Sequence, residues 1–145
     1  MSSNPPNPAF ADAVRESFAR QGLMAALGAR LVDVEPSRVV IELPYSDAVS
    51  QQRGLFHGAA IGAIADTAAG YAAMTLMPAG SEVLTVEYKI NLMRAAAGEL
   101  LRSVGQVARA GRSLTVARAE VLCGDGTEMA PCAMLQATLM RIDAG

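Results

Sequence analysis

From His57 to Met77 the sequence reads HGAAIGAIADTAAGYAAMTLM, and Asp66 is the only charged side chain in this stretch. A helix that is apolar on every side is typical of a protein interior, because none of its faces favours water. An ionised carboxylate in such a place costs free energy unless it is paired or hydrogen-bonded. Since residues in such surroundings are concentrated at functional sites, Asp66 and the nearby Gly58 are the first candidates for function.

A membrane-spanning helix is the alternative interpretation of this segment. It has roughly twenty apolar residues, and Gly58 and Gly62 form a G-x-x-x-G spacing. However, most of these residues are Ala or Gly, which gain little from transfer into lipid, and Asp66 lies near the middle. No cluster of Lys or Arg flanks the segment. We therefore predict a buried helix and no contact with a membrane.

The composition limits the remaining possibilities. A chain of 145 residues has the length of one domain, and its 52% hydrophobic content excludes general disorder. A net charge of −2 provides no basic surface, so nucleic acid is not an expected partner. Cys123 and Cys132 lack a C-x-x-C spacing and are expected to be reduced thiols. Met1–Ala11 does not have the pattern of a secretory signal, so we expect a cytoplasmic protein.

The elements before the buried helix are predicted from hydrophobic spacing and turn residues. Phe10, Val14 and Phe18 recur every fourth residue, as in an amphipathic helix. A single domain at 8–145 is expected to follow a disordered tail at 1–7. Its first elements are a helix from Pro8 to about Ala26, strands at Ala29–Glu35 and Arg38–Pro44, and a polar loop at Tyr45–Phe56.

Four further strands are predicted after the buried helix, at Glu82–Met93, Gly98–Arg109, Ser113–Cys123 and Pro131–Ile142. In the first of them, strict alternation puts Tyr88 and Leu92 on one face and Thr85 on the other. A run of strands around one central helix predicts an α+β fold, an antiparallel sheet wrapped around a long central helix, with an N-terminal helix. Such a sheet leaves exposed edges, so we expect a homodimer.

Several kinds of site are excluded by their missing motifs. The single histidine and the absence of ligand spacing argue against a metal site. No G-x-G-x-x-G motif follows a strand, and no Walker A or G-x-S-x-G motif is present. What remains is a polar loop, a glycine at a helix start and a carboxylate eight residues later.

Those remaining features suit acyl transfer. The first backbone N–H groups of a helix lack partners within the helix, so the N–H of Gly58 is able to bind a carbonyl oxygen that becomes an oxyanion. Asp66 lies about 12 Å further along the helix axis. The acyl group therefore either lies along the helix or reaches Asp66 from a neighbouring chain, and a substrate between two subunits fits better.

Four stretches carry a resemblance to a known family: QQRGLFHGA at 51–59, ADTA at 65–68, TVEYKIN at 85–91 and GRSL at 111–114. Together they resemble the hotdog-fold acyl-CoA thioesterases of the PaaI-like (phenylacetate-degradation) type, over roughly residues 25–142. The resemblance implies a hotdog fold and hydrolysis of a small aryl or short- to medium-chain acyl-CoA. It implies no cofactor, since coenzyme A is part of the substrate.

The resemblance also implies roles for individual residues. The Gly58 N–H would polarise the thioester carbonyl, and Asp66 would act as nucleophile or as general base on water. Gln52 matches a position that binds near the carbonyl or the water. Thr85 matches a hydroxyl that orients the attacking water across the dimer interface, and His57 is expected to hold the loop that presents Gly58.

The turn before the penultimate strand is implied to meet the CoA phosphates, which suits its arginines. The residues concerned are Arg109, Gly111, Arg112 and Ser113. One departure from the family pattern is Ala59, which stands where the second glycine of the motif is usual. Its methyl group either crowds the acyl entrance or points away from it, so the acyl specificity stays open.

Alternatives to this interpretation remain. A hotdog dehydratase or hydratase pairs a histidine with an acid, whereas Gln52, five residues before His57, cannot take a proton as an aspartate would. A non-catalytic acyl-CoA-binding protein would use the same fold without turnover. Taken without the family, Asp66 is alternatively an interface carboxylate bonded to an amide of a neighbouring chain, and Thr85 an ordinary strand residue. Dimers are further expected to pair into tetramers.

Overall fold

The structure is a computed structural model that describes residues 4–143. The predicted tail at 1–7 and the domain at 8–145 thus lie partly outside the described residues. The helices are α1 (Phe10–Ala19), α2 (Gly22–Leu27) and α3 (Gly58–Met74), with a short 3-10 turn at Asp47–Val49. The strands are β1 (Arg30–Glu35), β2 (Arg38–Pro44), β3 (Ser81–Leu92), β4 (Leu100–Ala110), β5 (Leu114–Gly124) and β6 (Met129–Asp143).

The six strands form one sheet in the order β1-β2-β4-β5-β6-β3, and every neighbouring pair is antiparallel. α3 packs against β2 to β6, so the sheet wraps around it. The predicted α+β fold, an antiparallel sheet around a long central helix with helix before it, is confirmed. β3 is an edge strand of the sheet.

α3 is buried because its side chains are small enough to lie directly on the sheet. Ala65, Ala68, Ala69 and Ala72 have no exposed surface. On β4, a Cβ atom added to Gly105 would lie 2.2 Å from the carbonyl oxygen of Ala68, so only glycine fits at that point. The helix backbone therefore approaches the sheet closely.

The predicted single helix from Pro8 to about Ala26 is wrong in one respect, because it is two helices. α1 ends at Ala19, with Arg20 as its C-cap, and Gln21 has an extended conformation with φ −80° and ψ 111°. The Gln21 Nε2 donates a hydrogen bond to the hydroxyl oxygen of Tyr71 on α3, at 2.8 Å. This tertiary contact accompanies the break, and hydrophobic spacing within the segment gives no sign of it.

The predicted faces of β3 are also wrong in one respect, because a β-bulge interrupts the alternation. Thr85 pairs with Leu139 and Glu87 pairs with Thr138, so Val86 is an extra residue. The bulge puts Thr85 on the side of β3 that faces α3. Tyr88 and Leu92 lie against α3 on that same side.

The remaining expectations concern the thiols and the membrane. Cys123 and Cys132 are free and buried. Burial raises the pKa of the Cys132 thiol to about 12, with a smaller contribution from the neighbouring Cys123, so this thiol is not a candidate nucleophile. Within residues 4–143, no helix has both the length and the apolar character needed to cross a membrane.

Candidate active site

The first turn of α3 leaves one backbone donor free. The Nδ1 of His57 accepts a hydrogen bond from the N–H of Ala59 at 2.9 Å, which makes His57 the N-cap residue. The N–H groups of Ala60 and Ile61 donate to the His57 carbonyl oxygen at 3.0 and 3.1 Å. Within residues 4–143 the Gly58 N–H has no acceptor. It is therefore the one N–H of this turn that is available to a ligand.

The loop before α3 is held by backbone hydrogen bonds. The His57 N–H donates to the Val49 carbonyl oxygen at 2.8 Å, and the Phe56 N–H donates to that of Ala96 at 3.0 Å. The Phe56 ring packs edge-on against Tyr45, with centroids 5.2 Å apart. Gly58 therefore follows a loop that is held in place by hydrogen bonds, while the role expected of His57 stays a prediction.

Gln52 is exposed, and its side chain makes no hydrogen bond within residues 4–143. The adjacent Gln51 is half-buried, and its Oε1 accepts hydrogen bonds from the N–H groups of Arg53 and Leu55. This leaves the Gln51 amide nitrogen without a partner in the described chain. Sequence spacing does not distinguish the two neighbouring glutamines, so these hydrogen bonds of Gln51 were not predicted, and the role of Gln52 stays a prediction.

Asp66 is half-buried on α3 and faces β3. The Thr85 hydroxyl donates a hydrogen bond to Asp66 Oδ1 at 2.7 Å. Burial raises the pKa of Asp66 above the usual value for an aspartate, and the Thr85 hydrogen bond lowers it by a smaller amount. Within residues 4–143 the Oδ2 atom has no hydrogen-bond partner, so one carboxylate oxygen is fixed and the other is free.

A cleft of about 210 Å³ opens onto Asp66, which is therefore not sealed in the core. Its walls come from the α1–α2 junction at Gln21 and Leu23, from α3, and from Thr85 on β3. The Tyr71 hydroxyl fixes one wall by bonding to Gln21 and to Ser17, both at 2.8 Å. We call this cavity the Asp66 cleft.

One chain does not bring Gly58 and Asp66 together. The eight residues between them correspond to about 12 Å along the helix axis. Gly62 lies midway, and the Tyr88 hydroxyl covers it, 3.7 Å from where a Cβ atom would be. A single carbonyl group cannot contact both the Gly58 N–H and the Asp66 carboxylate of the same chain.

The predicted CoA-binding turn lies between β4 and β5. Gly111 donates its N–H to the Leu114 carbonyl oxygen at 2.8 Å, and the Ser113 carbonyl oxygen accepts from the N–H of Arg141 at 2.9 Å. Arg109, Arg112 and Ser113 are exposed. Arg109, Arg112 and Arg141 take part in none of the ion pairs of the described chain. Arg141 was missed by sequence analysis, because only the β5–β6 pairing brings it here.

The strand register places this turn at the same end of the sheet as Asp66. Thr85 on β3 and Thr115 on β5 both pair with Leu139 on β6. They are two strand spacings apart, or about 10 Å. The β4–β5 turn ends at Ser113, two residues before Thr115, so it lies near Asp66. Gly58 instead lies beside Leu92, at the other end of β3.

Within residues 4–143, no group of His, Cys, Asp and Glu side chains is arranged to hold a metal ion. The chemistry that this arrangement provides comes from a carboxylate, a hydroxyl and a backbone donor. Such a set is sufficient for addition of water to a polarised carbonyl group.

Comparisons with known proteins show the family to which this fold belongs. The Thioesterase superfamily model matches residues 53–130. A thioesterase family protein from Silicibacter pomeroyi is 42% identical, with a TM-score of 0.90 over 92% of this chain and 98% of that one. A Saccharolobus solfataricus protein with the name "Putative esterase" is 30% identical over 115 residues, 79% of this chain and 81% of that protein. The E. coli PaaI protein from the phenylacetic acid degradation operon has a TM-score of 0.83 over 94% of this chain and 96% of its own, and at 19% identity it shows the fold alone.

The sheet and its central helix define a hotdog-fold protein, as the resemblance in the sequence predicted. The match over residues 53–130 and the 42% identity show that the chain belongs to the thioesterase superfamily. Its general class of activity is thioester hydrolysis.

Proposed function

We propose that this protein hydrolyses the acyl-CoA thioester of a small aryl or short- to medium-chain acid, giving the free acid and CoA. The observation that carries the proposal is the state of Asp66. One of its oxygens is held by Thr85 at 2.7 Å, and the other is free in an open cleft. The Gly58 N–H supplies the matching oxyanion donor, because it is the donor of its helix turn that has no acceptor among residues 4–143.

The reaction needs only these groups and water. With Asp66 as general base, a proton passes from water to the carboxylate while the water oxygen bonds to the thioester carbon. The carbonyl oxygen becomes an oxyanion at the Gly58 N–H. The C–S bond then breaks, and the proton leaves with the CoA sulfur. With Asp66 as nucleophile, the carboxylate displaces CoA first, and water then hydrolyses the mixed anhydride.

The environment of Asp66 suits either role. Burial raises its pKa, which makes the carboxylate a better base than an exposed aspartate. The Thr85 hydroxyl acts in the opposite direction and favours the ionised form that the reaction requires. A hydratase mechanism would instead use His57, whose Nδ1 is already occupied by the Ala59 N–H.

The separation of Gly58 and Asp66 supports a homodimer as the active form. β3 is an edge strand of 12 residues, and its exposed side chains include Leu84, Val86 and Leu92. An edge of this kind favours pairing with a second strand. Antiparallel pairing of two β3 strands would make the two α3 helices run in opposite directions. Asp66 would then face Gly58 of the partner subunit.

Two further features support binding of the CoA phosphates and assembly into a tetramer. Arg109, Arg112 and Arg141 surround the β4–β5 turn without described ion pairs and would bind the CoA phosphates. On the outer face, Leu84, Met140 and Leu114 pair in one row across β3, β6 and β5, and all three are exposed. This apolar row would lie between two dimers in a tetramer.

Replacement of Asp66 by Asn tests the catalytic proposal. Asp66→Asn keeps the shape and an acceptor for Thr85 but removes the base and nucleophile, so kcat should fall by about 10² to 10⁴. The measurement is release of CoA from phenylacetyl-CoA and hexanoyl-CoA. Asp12→Asn, an exposed carboxylate on α1, is the matched control and should keep wild-type kcat.

The same variant separates loss of chemistry from loss of folding. Because burial raises the pKa of Asp66 in the folded state, ionisation of this group disfavours folding above its unfolded pKa. Asp66→Asn should therefore unfold at a Tm no lower than wild type at neutral pH. Retention of full activity in Asp66→Asn would overturn the catalytic proposal. Binding without turnover in the wild type would indicate an acyl-CoA-binding protein.

A further inference from the structure

A second cleft, of about 290 Å³, lies between α2 and the first half of α3. Leu23 and Leu27 of α2 form one wall, and Ala59 and Ala63 of α3 form the opposite wall. The 3-10 turn contributes Val49, and the lining also includes the polar residues Ser50 and His57. No Lys, Arg, Asp or Glu side chain lines it. This cleft is called the α2–α3 cleft below.

The α2–α3 cleft is continuous with the proposed reaction site. It begins at His57 and Ala59, which flank Gly58 and its free N–H. It shares Leu23 and Ala63 with the Asp66 cleft, so the two clefts meet along α3. A carbonyl oxygen bound at the Gly58 N–H would have this apolar cleft beside it.

We propose that the α2–α3 cleft holds the acyl group of the thioester, and that it selects uncharged, apolar acyl groups. In this assignment the Ala59 methyl group sets the width of the cleft near its entrance, and Ala63 sets its length. The assignment rests on the proposed function, because it places the thioester carbonyl at Gly58. It answers the question that Ala59 raised in the sequence, since Ala59 is exposed and lines the cleft.

The size and chemistry of the cleft support this occupant. Pockets for small molecules are about 300–1,000 Å³, so a cleft of about 290 Å³ fits a small group. Ala59 and Ala63 are one helical turn apart, or about 6 Å along the axis. Because no charged side chain lines the walls, an acyl group that ends in a carboxylate would lose hydration without gaining a partner of opposite charge.

Binding of non-hydrolysable thioethers tests the assignment without catalysis. We would titrate S-alkyl-CoA compounds of two to ten carbons into the wild type by calorimetry. Kd should fall by about fourfold per methylene, since burial of one CH₂ contributes about 0.8 kcal/mol, and then stay constant once the cleft is filled. S-(2-carboxyethyl)-CoA should bind at least tenfold more weakly than S-propyl-CoA.

Two variants locate the acyl group. Ala63→Leu fills the inner end of the cleft, so the plateau in Kd should occur at a shorter chain, while Kd for S-ethyl-CoA stays within twofold of wild type. Ala59→Gly widens the entrance and should tighten S-benzyl-CoA relative to S-butyl-CoA. Ala19→Gly, at an exposed alanine of α1 outside the cleft, is the control for the backbone effect of glycine.

The outcomes distinguish the assignment from the proposed function. If Ala63→Leu changes Kd equally at every chain length, or not at all, the acyl group lies elsewhere and the assignment is overturned. The assignment is also overturned if none of the S-alkyl-CoA compounds binds. If the chain-length series behaves as expected while Asp66→Asn retains full activity, the acyl site stands and the catalytic role of Asp66 fails.

Discussion

The two faces of α3 use small residues for opposite purposes. The core face, with Ala65, Ala68 and Ala72, has no exposed surface and lies directly on the sheet. The cleft face, with Gly58, Ala59, Ala63 and Asp66, borders the two clefts or the edge strand. On the core face a missing side chain permits close packing, and on the cleft face it leaves room for a ligand. The apolar helix of the sequence is thus both a core element and one wall of a site.

Among variants that leave Asp66 in place, the largest change is expected on the cleft face, at the N–H of Gly58. Proline is favoured at the first position of a helix, and His57, at φ −68° and ψ 138°, already has the conformation that precedes proline. Gly58→Pro therefore replaces the N–H hydrogen by a ring carbon and preserves the helix. We expect kcat for acyl-CoA hydrolysis to fall by about 10² to 10³.

Gly58→Ala is the matched control for this prediction, because it keeps the N–H. Its added Cβ atom lies 3.0 Å from the Cδ1 of Leu92, which is the end of a flexible, exposed side chain. The alanine variant should therefore retain most of the activity that the proline variant loses. Equal activity in the two variants would show that the N–H is not the oxyanion donor.

The core face should instead respond in stability. Gly105→Ala puts a Cβ atom 2.2 Å from the Ala68 carbonyl oxygen, so α3 or β4 must move. We expect the free energy of unfolding to fall by about 3 kcal/mol, the upper part of the usual range for overpacking. Urea denaturation measures it. Gly22→Ala is the control, because an added Cβ there meets no atom within 4 Å, and it should leave the free energy of unfolding unchanged. An equal loss of stability in both variants would contradict the packing explanation.

The smallest effect is expected at Thr85, and it appears in the pH profile. Thr85→Val removes the hydrogen bond that lowers the pKa of Asp66, so burial then acts without that opposition. The acid limb of kcat/KM should move to higher pH, because the carboxylate accepts its proton at a higher pH. Thr85→Ser keeps the hydroxyl and should keep the wild-type profile. An unshifted profile in Thr85→Val would separate Thr85 from the ionisation of Asp66.

The fold was predictable because it depends on patterns within single elements. The apolar composition of α3 and the alternation in the later strands are local signals, and they predicted the buried helix and the four strands after it. The bulge at Val86, the break at Gln21 and the fit of Gly105 against Ala68 depend on contacts between elements. A single sequence contains no local signal for them.

The candidate site was predictable to the same extent. Asp66 and Gly58 lie on one helix, so their chemistry and separation follow from the sequence. The resemblance gave Thr85 a role with the attacking water across a dimer interface, but its hydrogen bond to Asp66 of the same chain was not predicted. The simple alternation had put Thr85 on the wrong face. Arg141 and the α2–α3 cleft depend on the strand register and on the position of α2, so they appear only in three dimensions.

The attachment of α2 has a consequence for how relatives of this protein could diverge. α2 has six residues, and Met24 is the one that is fully buried among them. One wall of the proposed acyl site, formed by Leu23 and Leu27, is thus carried on a short outer segment, apart from the α3 carboxylate and the sheet. Natural variation in that segment can retune substrate preference while leaving the catalytic framework untouched, so one scaffold can serve many metabolic tasks.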